Sequence, residues 1–367
     1  MPTTALHDPL VAAGARLSDY LGAETAATFG DPRREYVELR SGCGIYDLGW
    51  RAKIVATGAD RLRWMNGMVT NNIRDLPPGH GNYNFLLNAQ GRILGDMYLY
   101  SRGDYLLLDT ARWQAPTLLE VMNKYIIMDD VELTDVTEKL TALAVQGPRA
   151  PEVLRDAGFG CPTLVAPGVG ATGWEHADPL EVQDMAWNDL GLSLTRMAGD
   201  ISHTYEIWLA PAGAADVWDA LVRSGARPVG TEALEMFRLA AGIPRYGVDI
   251  SERYLPQETG QEQALNFKKG CYLGQEIVER IHSRALLHRM LTGFVVDGPP
   301  PAPGAKIQQE GKDVGEITSA LTVPGSDGDR TLALGYLRME ARNPGAELSI
   351  SGAHAVVHLL PYRELAA

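Results

Sequence analysis

The apolar positions of the chain alternate along some segments and recur at helical spacing along others. Lys53 to Ala56 reads as a strand, and Asp60 to Met65 begins a helix. Met97 to Ser101 and Tyr105 to Asp109 read as two strands around the turn Arg102-Gly103-Asp104. Ala115 to Ile127 places Leu118, Leu119, Met122 and Ile126 on one helical face. A second α+β stretch follows. Leu140 to Val145 is a strand broken by Gly147-Pro148, with Pro148 suited to open a helix. His203 to Ala210 is a strand, and Ala212 to Arg223 a helix closed by Gly225. Thr231 to Ala241 is a helix with Thr231 as its N-cap and Gly242-Ile243-Pro244 as its stop. Asp297 to Gly304 reads as a linker. Beyond it Val314–Ile317, Thr331–Leu334, Leu348–Ile350 and Ala355–Leu360 predict a small antiparallel barrel or sandwich.

Composition narrows the class. A chain of 367 residues exceeds the usual size of one domain, and it buries enough surface, about 75% of the unfolded total, to need no staple. The formal charge of −13 argues against a generic nucleic-acid binder, which needs surplus Lys and Arg. Lys268, Lys269, Arg280, Arg284, His288 and Arg289 form a local basic cluster, either a solvated face with pairs such as Glu276–Arg280 or an anion site. Three widely spaced cysteines (Cys43, Cys161 and Cys271) favour neither a disulfide framework nor a metal centre. Met1 to Asp8 shows no signal-peptide pattern, and no apolar run is long enough to span a membrane. A cytoplasmic location is expected, with no membrane or direct nucleic-acid partner.

Several motifs fail their context tests. Gly168 to Gly173 fits GxGxxG on paper, but Pro167 precedes it and no helical pattern comes after it. No Walker A, HExxH or GxSxG occurs, and His203 reads as a core histidine in an apolar strand. Three segments carry more chemistry. In Lys269-Gly270-Cys271-Tyr272-Leu273-Gly274-Gln275-Glu276, Gly270 and Gly274 allow a tight, close-approaching backbone just before a helix whose apolar face holds Ile277, Val278 and Ile281. Cys271 thus sits upstream of a helix N-terminus beside two lysines, a setting that favours the thiolate. The alternative is a small buried residue in a structural turn. In the strand His203 to Leu209, Thr204, Glu206 and Trp208 share one face. An acid beside a tryptophan suits a flat heterocycle with adjacent N–H donors, such as a pterin; the alternative is a Glu on a solvated sheet face. In Tyr83 to Asp96, Gly91 suits a turn, and Asp96 enters an otherwise apolar strand as a site residue or a sheet-end polar one.

Together these segments resemble the aminomethyltransferase (glycine-cleavage T-protein, GcvT-like) superfamily, and more closely its YgfZ-type folate-binding branch. The branch hallmark K-G-C-Y-x-G-Q-E is complete at residues 269–276. Further matches are Gly91-Arg92-Ile93 with Asp96, Tyr205-Glu206-Ile207, Arg238 to Pro244 and Pro256-Gln257-Glu258, over roughly residues 40–340. The resemblance implies an α+β, three-domain GcvT-like ring with two α/β (ferredoxin-like) domains and a C-terminal small antiparallel β-barrel. Its boundaries would be 1–52 with 140–284, then 53–139, then 285–367. It implies tetrahydrofolate, or a one-carbon derivative, as cofactor. Glu206 falls where the superfamily holds the pterin, Tyr83 and Arg238 on pocket positions with Trp208 beside them, and Asp96 in an acidic pair near the folate. T-proteins carry two consecutive acids where this chain has Gly95-Asp96. Cys271 and Lys269 match the branch-specific pair, with Cys271 expected to face the folate as a reactive thiol. The branch implies an accessory role in iron–sulfur cluster assembly or repair, and indirectly in tRNA modification. Iron–sulfur proteins or their assembly factors would be its partners. The alternative is a tetrahydrofolate-dependent aminomethyltransferase or methyltransferase (demethylase) acting on a small molecule.

Overall fold

The computed structural model describes residues 1–160, 174, 177–199, 203–284 and 287–362, without the Arg284 side chain. Cys161 and the glycine-rich stretch 168–173 lie outside the described residues. The chain forms two compact units. The first comprises residues 1–65, 73–83 and 97–234, and the second 66–72, 84–96 and 235–367.

The first unit opens with a hairpin of β1 (Arg16–Tyr20) and β2 (Ala23–Thr28). Its six-stranded sheet uses β3 (Gly44–Asp47), β9 (Thr141–Gln146), β10 (Val182–Trp187), β11 (Leu190–Arg196), β12 (Thr204–Leu209) and β13 (Arg227–Pro228). Their order is β10-β11-β12-β9-β3-β13. Successive strand residues point to opposite faces, and in β12 this alternation sorts core residues from polar ones. Tyr205, Ile207 and Leu209 join Ile45, Leu143, Val145, Leu192 and Leu194 in one hydrophobic core. Glu206 and Trp208 therefore face the other way, with Tyr46, Gln146 and Thr195 from the neighbouring strands.

A five-stranded sheet has the order β5-β6-β7-β4-β8. It uses β4 (Arg51–Thr57), β5 (Gly81–Leu87), β6 (Ile93–Ser101), β7 (Leu106–Ala111) and β8 (Glu132–Asp135). Lys53 and Asp109 are cross-strand partners in it.

The second unit holds the turn between β5 and β6, where Gly91 takes a left-handed φ of 71°. Asn88 Oδ1 caps that turn by accepting from the backbone N–H groups of Gln90 and Arg92, each at 2.9 Å. A closed antiparallel barrel completes the unit, in the order β14-β17-β16-β15-β18-β19. Its strands are β14 (Arg289–Val296), β15 (Lys306–Gln309), β16 (Lys312–Gly325), β17 (Gly328–Arg338), β18 (Glu347–Ile350) and β19 (Ala353–His358). The fold is thus a mixed α/β one with a closed six-stranded antiparallel barrel.

At several places the structure departs from the local sequence pattern. Asp297 to Gly304 is not an inter-domain linker; it joins β14 to β15 within the barrel, because the apolar run before it pairs with both β17 and β19. The helix expected to reach Ile127 ends at Asn123, and Ile127 is 81% exposed, outside the apolar face that holds Leu118 and Met122. The helix after Gly147 starts at Ala150, with Pro151 rather than Pro148 in its first turn. Thr231 is the first helical residue, not the cap. His203 is exposed just before β12, not a core histidine.

Candidate functional site

In the first unit the predicted residues Tyr83, Glu206 and Trp208 belong to one connected cluster. The Trp208 indole donates to Glu206 Oε2 at 3.0 Å, so the tryptophan orients the acid directly. Tyr100 meets Trp208 edge-on with ring centres 4.7 Å apart. Tyr98 lies between Tyr100, at 6.4 Å, and Tyr83, at 5.1 Å. Glu206 is only 6% exposed, which removes the reading of a solvated sheet face.

Charge accompanies this aromatic row. Arg51 Nε donates to Asp109 Oδ1 at 2.6 Å and its Nη2 to the Asp109 carbonyl at 3.0 Å. Its guanidinium sits 5.6 Å from the Tyr98 ring centre. The Lys53 ammonium lies 2.7 Å from Asp109 Oδ2, inside ion-pair reach, and 5.3 Å from the Trp208 ring centre. The two atoms are each other's ion-pair partner, and among the described residues neither Lys53 Nζ nor Asp109 Oδ2 has another polar partner. Burial, then the Asp109 carboxylate, push the Glu206 carboxyl above the usual range, against the pull of Lys53 and Arg51. Burial likewise lowers the Lys53 ammonium, against the pull of Asp109 and Glu206. Two carboxylates and two cations so share one buried region.

Two polar atoms on the Glu206 face lack partners among the described residues. Thr195 stands directly opposite Glu206 across the β11–β12 ladder, and its Oγ1 makes no hydrogen bond. Gln146 opposes Thr204, accepts from the Tyr46 hydroxyl through Oε1 at 2.9 Å, and leaves Nε2 unbonded. Buried polar groups are nearly always paired. Two unpaired polar atoms on the Glu206 face, beside the Lys53–Asp109 ion pair, therefore mark a candidate site whose chemistry suits a polar heterocycle. Composition and local pattern could not have named Lys53, Asp109, Gln146 or Thr195, since each arrives from a different strand.

The second unit gathers the octet. Gly274 has a φ of 79°, and a Cβ there would stand 2.5 Å from the Asn88 carbonyl oxygen. The close approach expected of the octet is thus real at Gly274, whereas a Cβ at Gly270 meets nothing within 4 Å. Lys269 is buried, and its Nζ donates to the carbonyls of Val69 at 2.6 Å and Asn71 at 2.5 Å. It also lies 5.0 Å from the Tyr272 ring centre. Burial lowers its pKa to about 7. Cys271 is exposed, so it is not a small buried turn residue.

Arg238 donates to Glu235 at 2.7 Å and to Asp249 at 2.8 Å, and Asp249 also accepts from Thr318 and Ser319. Asp96 is half-buried on β6, and its charge acts on Tyr246, whose hydroxyl donates to the Leu94 carbonyl at 2.7 Å. The basic cluster is dispersed: Arg280 pairs with Glu276, Arg289 with Glu258, and Lys269 is bonded to backbone. As for metals, the described residues hold one close group, His80, Asp178 and Glu181. Its loop is already closed by the Asp178 N–H donating to Glu181 Oε2 at 2.9 Å.

These features define a class, an aminomethyltransferase-like fold. A solved glycine cleavage system aminomethyltransferase T from Bartonella henselae superposes with a TM-score of 0.85 at 23% identity, over 99% of this chain and 98% of that one. The chain belongs to the family of the GCVT N-terminal domain, matched over residues 6–269, and continues into a CAF17 C-terminal β-barrel domain over residues 285–362, a YgfZ/CAF17-type arrangement. An aminomethyltransferase of Streptomyces coelicolor is 28% identical over 96% of this chain and 94% of its own length. A Thermus thermophilus aminomethyltransferase is 29% identical, covering 94% and 93% respectively. A putative chloroplastic transferase of Arabidopsis thaliana is 26% identical over 88% of this chain and 72% of its own. Among the described residues no helix is long and apolar enough to cross a membrane.

Proposed function

We propose that this protein binds tetrahydrofolate, or a one-carbon derivative, through Glu206, and serves as a cytoplasmic accessory factor in iron–sulfur cluster assembly or repair. The observation that carries the folate reading is the buried Glu206 carboxylate, oriented by Trp208 among polar atoms with unmet hydrogen-bonding capacity. A carboxylate accepts two parallel hydrogen bonds, and the N3–H and 2-amino group of a pterin supply such a pair. Trp208 fixes the carboxylate, and Tyr83 and Tyr98 extend the aromatic row beside it. Tetrahydrofolate, when bound, supplies a carrier for one-carbon units. Membership of the GCVT family supports this assignment, and the three-part domain division at 53, 140 and 285 belongs with it.

The iron–sulfur role rests on Cys271, an exposed thiol in an octet that matches the YgfZ hallmark. Four thiolates usually hold a cluster, so Cys271 acts with a partner's ligands, iron–sulfur proteins or their assembly factors, and any effect on tRNA modification is indirect. Lys269, two residues before that cysteine, is anchored on the carbonyls of Val69 and Asn71. A second reading, a tetrahydrofolate-dependent aminomethyl- or methyltransferase on a small molecule with Asp96 in its site, is favoured by the aminomethyltransferases among the relatives.

Calorimetry with tetrahydrofolate tests the shared premise, and absence of binding to the wild type removes both readings. Complementation of a deletion strain separates them. Cys271→Ala should fail to restore cluster-enzyme activities under the first reading, while the second requires loss on Asp96→Asn and indifference to Cys271→Ala.

A further inference from the structure

We propose that Gln146 reads the oxo edge of the ring whose amino edge Glu206 holds, making the site selective for 2-amino-4-oxo over 2,4-diamino rings. The inference rests on the folate reading and adds the partner atom for the opposite edge. Glu206 faces Ala144 directly across the β12–β9 ladder, and Gln146 lies two residues further along the same strand. Both therefore project from one face, with Cα atoms in the diagonal relation of roughly 7–8 Å. Ala144, which also opposes Tyr46, places only a methyl group between them. Gln146 is 3% exposed.

Its amide is oriented rather than free. The Tyr46 hydroxyl donates to Gln146 Oε1 at 2.9 Å, and burial raises the Tyr46 pKa, so this hydroxyl keeps its proton. The amide oxygen is engaged, and the unbonded group is the donor Nε2. A donor flanking a carboxylate complements a ring that presents an oxo acceptor beside two N–H donors. A 4-amino group in place of the oxo would set donor against donor and also remove the N3 hydrogen that Glu206 accepts. The same edge pattern occurs in pterins and in guanine, so both belong in the test.

The experiment is calorimetric titration of the full chain with 6-methyltetrahydropterin, its 4-amino counterpart and guanosine. Wild type should prefer the 4-oxo pterin. Gln146→Met should weaken the 4-oxo ring about tenfold, the loss of one hydrogen bond, and leave the 4-amino ring within about twofold. Tyr46→Phe, which removes only the orienting hydroxyl, should shrink the preference in the same direction, and it decides the matter if Gln146→Met does not fold. An unchanged preference in both variants overturns the role of Gln146 while leaving folate binding intact. Binding of guanosine but no pterin overturns the folate reading and keeps the edge assignment. Failure of all three to bind wild type overturns both.

Discussion

Glu206→Gln should separate stability from binding. The substitution keeps the side chain's shape and one carbonyl oxygen but turns the second acceptor into an NH2 donor. Toward a ring presenting two N–H groups, one hydrogen bond becomes a donor–donor clash and the other loses its charge. Hydrogen bonds to charged groups contribute about 1.5–3 kcal/mol each, so the loss is about 3–4 kcal/mol, or roughly 10²- to 10³-fold in tetrahydrofolate affinity. Stability should move the other way. The acid is buried and its pKa is raised, first by burial and then by Asp109, so the folded chain holds the proton more tightly than the unfolded one. That contribution is fully present below the unfolded value near pH 4 and is lost as pH rises through the folded value. At pH 8 the variant should therefore melt at the same temperature as wild type or higher, and the difference should vanish near pH 4. Calorimetric titration and thermal melts at both pH values check this. Affinity within threefold of wild type, or a lower melting temperature at pH 8, would refute the reasoning.

The octet supports three further tests. Gly274→Ala should destabilise by at least about 2 kcal/mol, combining a positive φ with a Cβ against the Asn88 carbonyl, whereas Gly270→Ala should change little; urea midpoints compare them. Lys269, lowered to about 7 by burial, binds fewer protons folded than unfolded between there and the ordinary lysine value near 10.4. Wild-type stability should thus rise from pH 7 to 9 relative to Lys269→Met, and parallel pH profiles would argue against a buried ammonium. In a Cys161→Ser background, a thiol reagent should label exposed Cys271 at once, while Cys43, buried and pushed up to about 12, reacts only on unfolding; simultaneous labelling of both in the native state would contradict the burial.

The residues decided locally were those fixed by short-range rules. Alternation along β12 put Glu206 and Trp208 on one face, because successive strand residues must point oppositely. Gly91 specified its turn and Gly274 its close approach through backbone freedom that other residues lack. The octet with its flanking motifs identified the family. Sequence reading failed where the deciding contact was long-range. It named none of the partners that folding gives Lys269, the carbonyls of Val69 and Asn71, or Arg238, the carboxylates of Glu235 and Asp249. Lys53 and Asp109 meet only because β4 pairs with β7, and Gln146 and Thr195 flank Glu206 only through the register of three strands. Strand partners and register are set by which faces can bury together. The chain alone therefore named the acid at the centre, and the tertiary structure supplied the charges and amide around it.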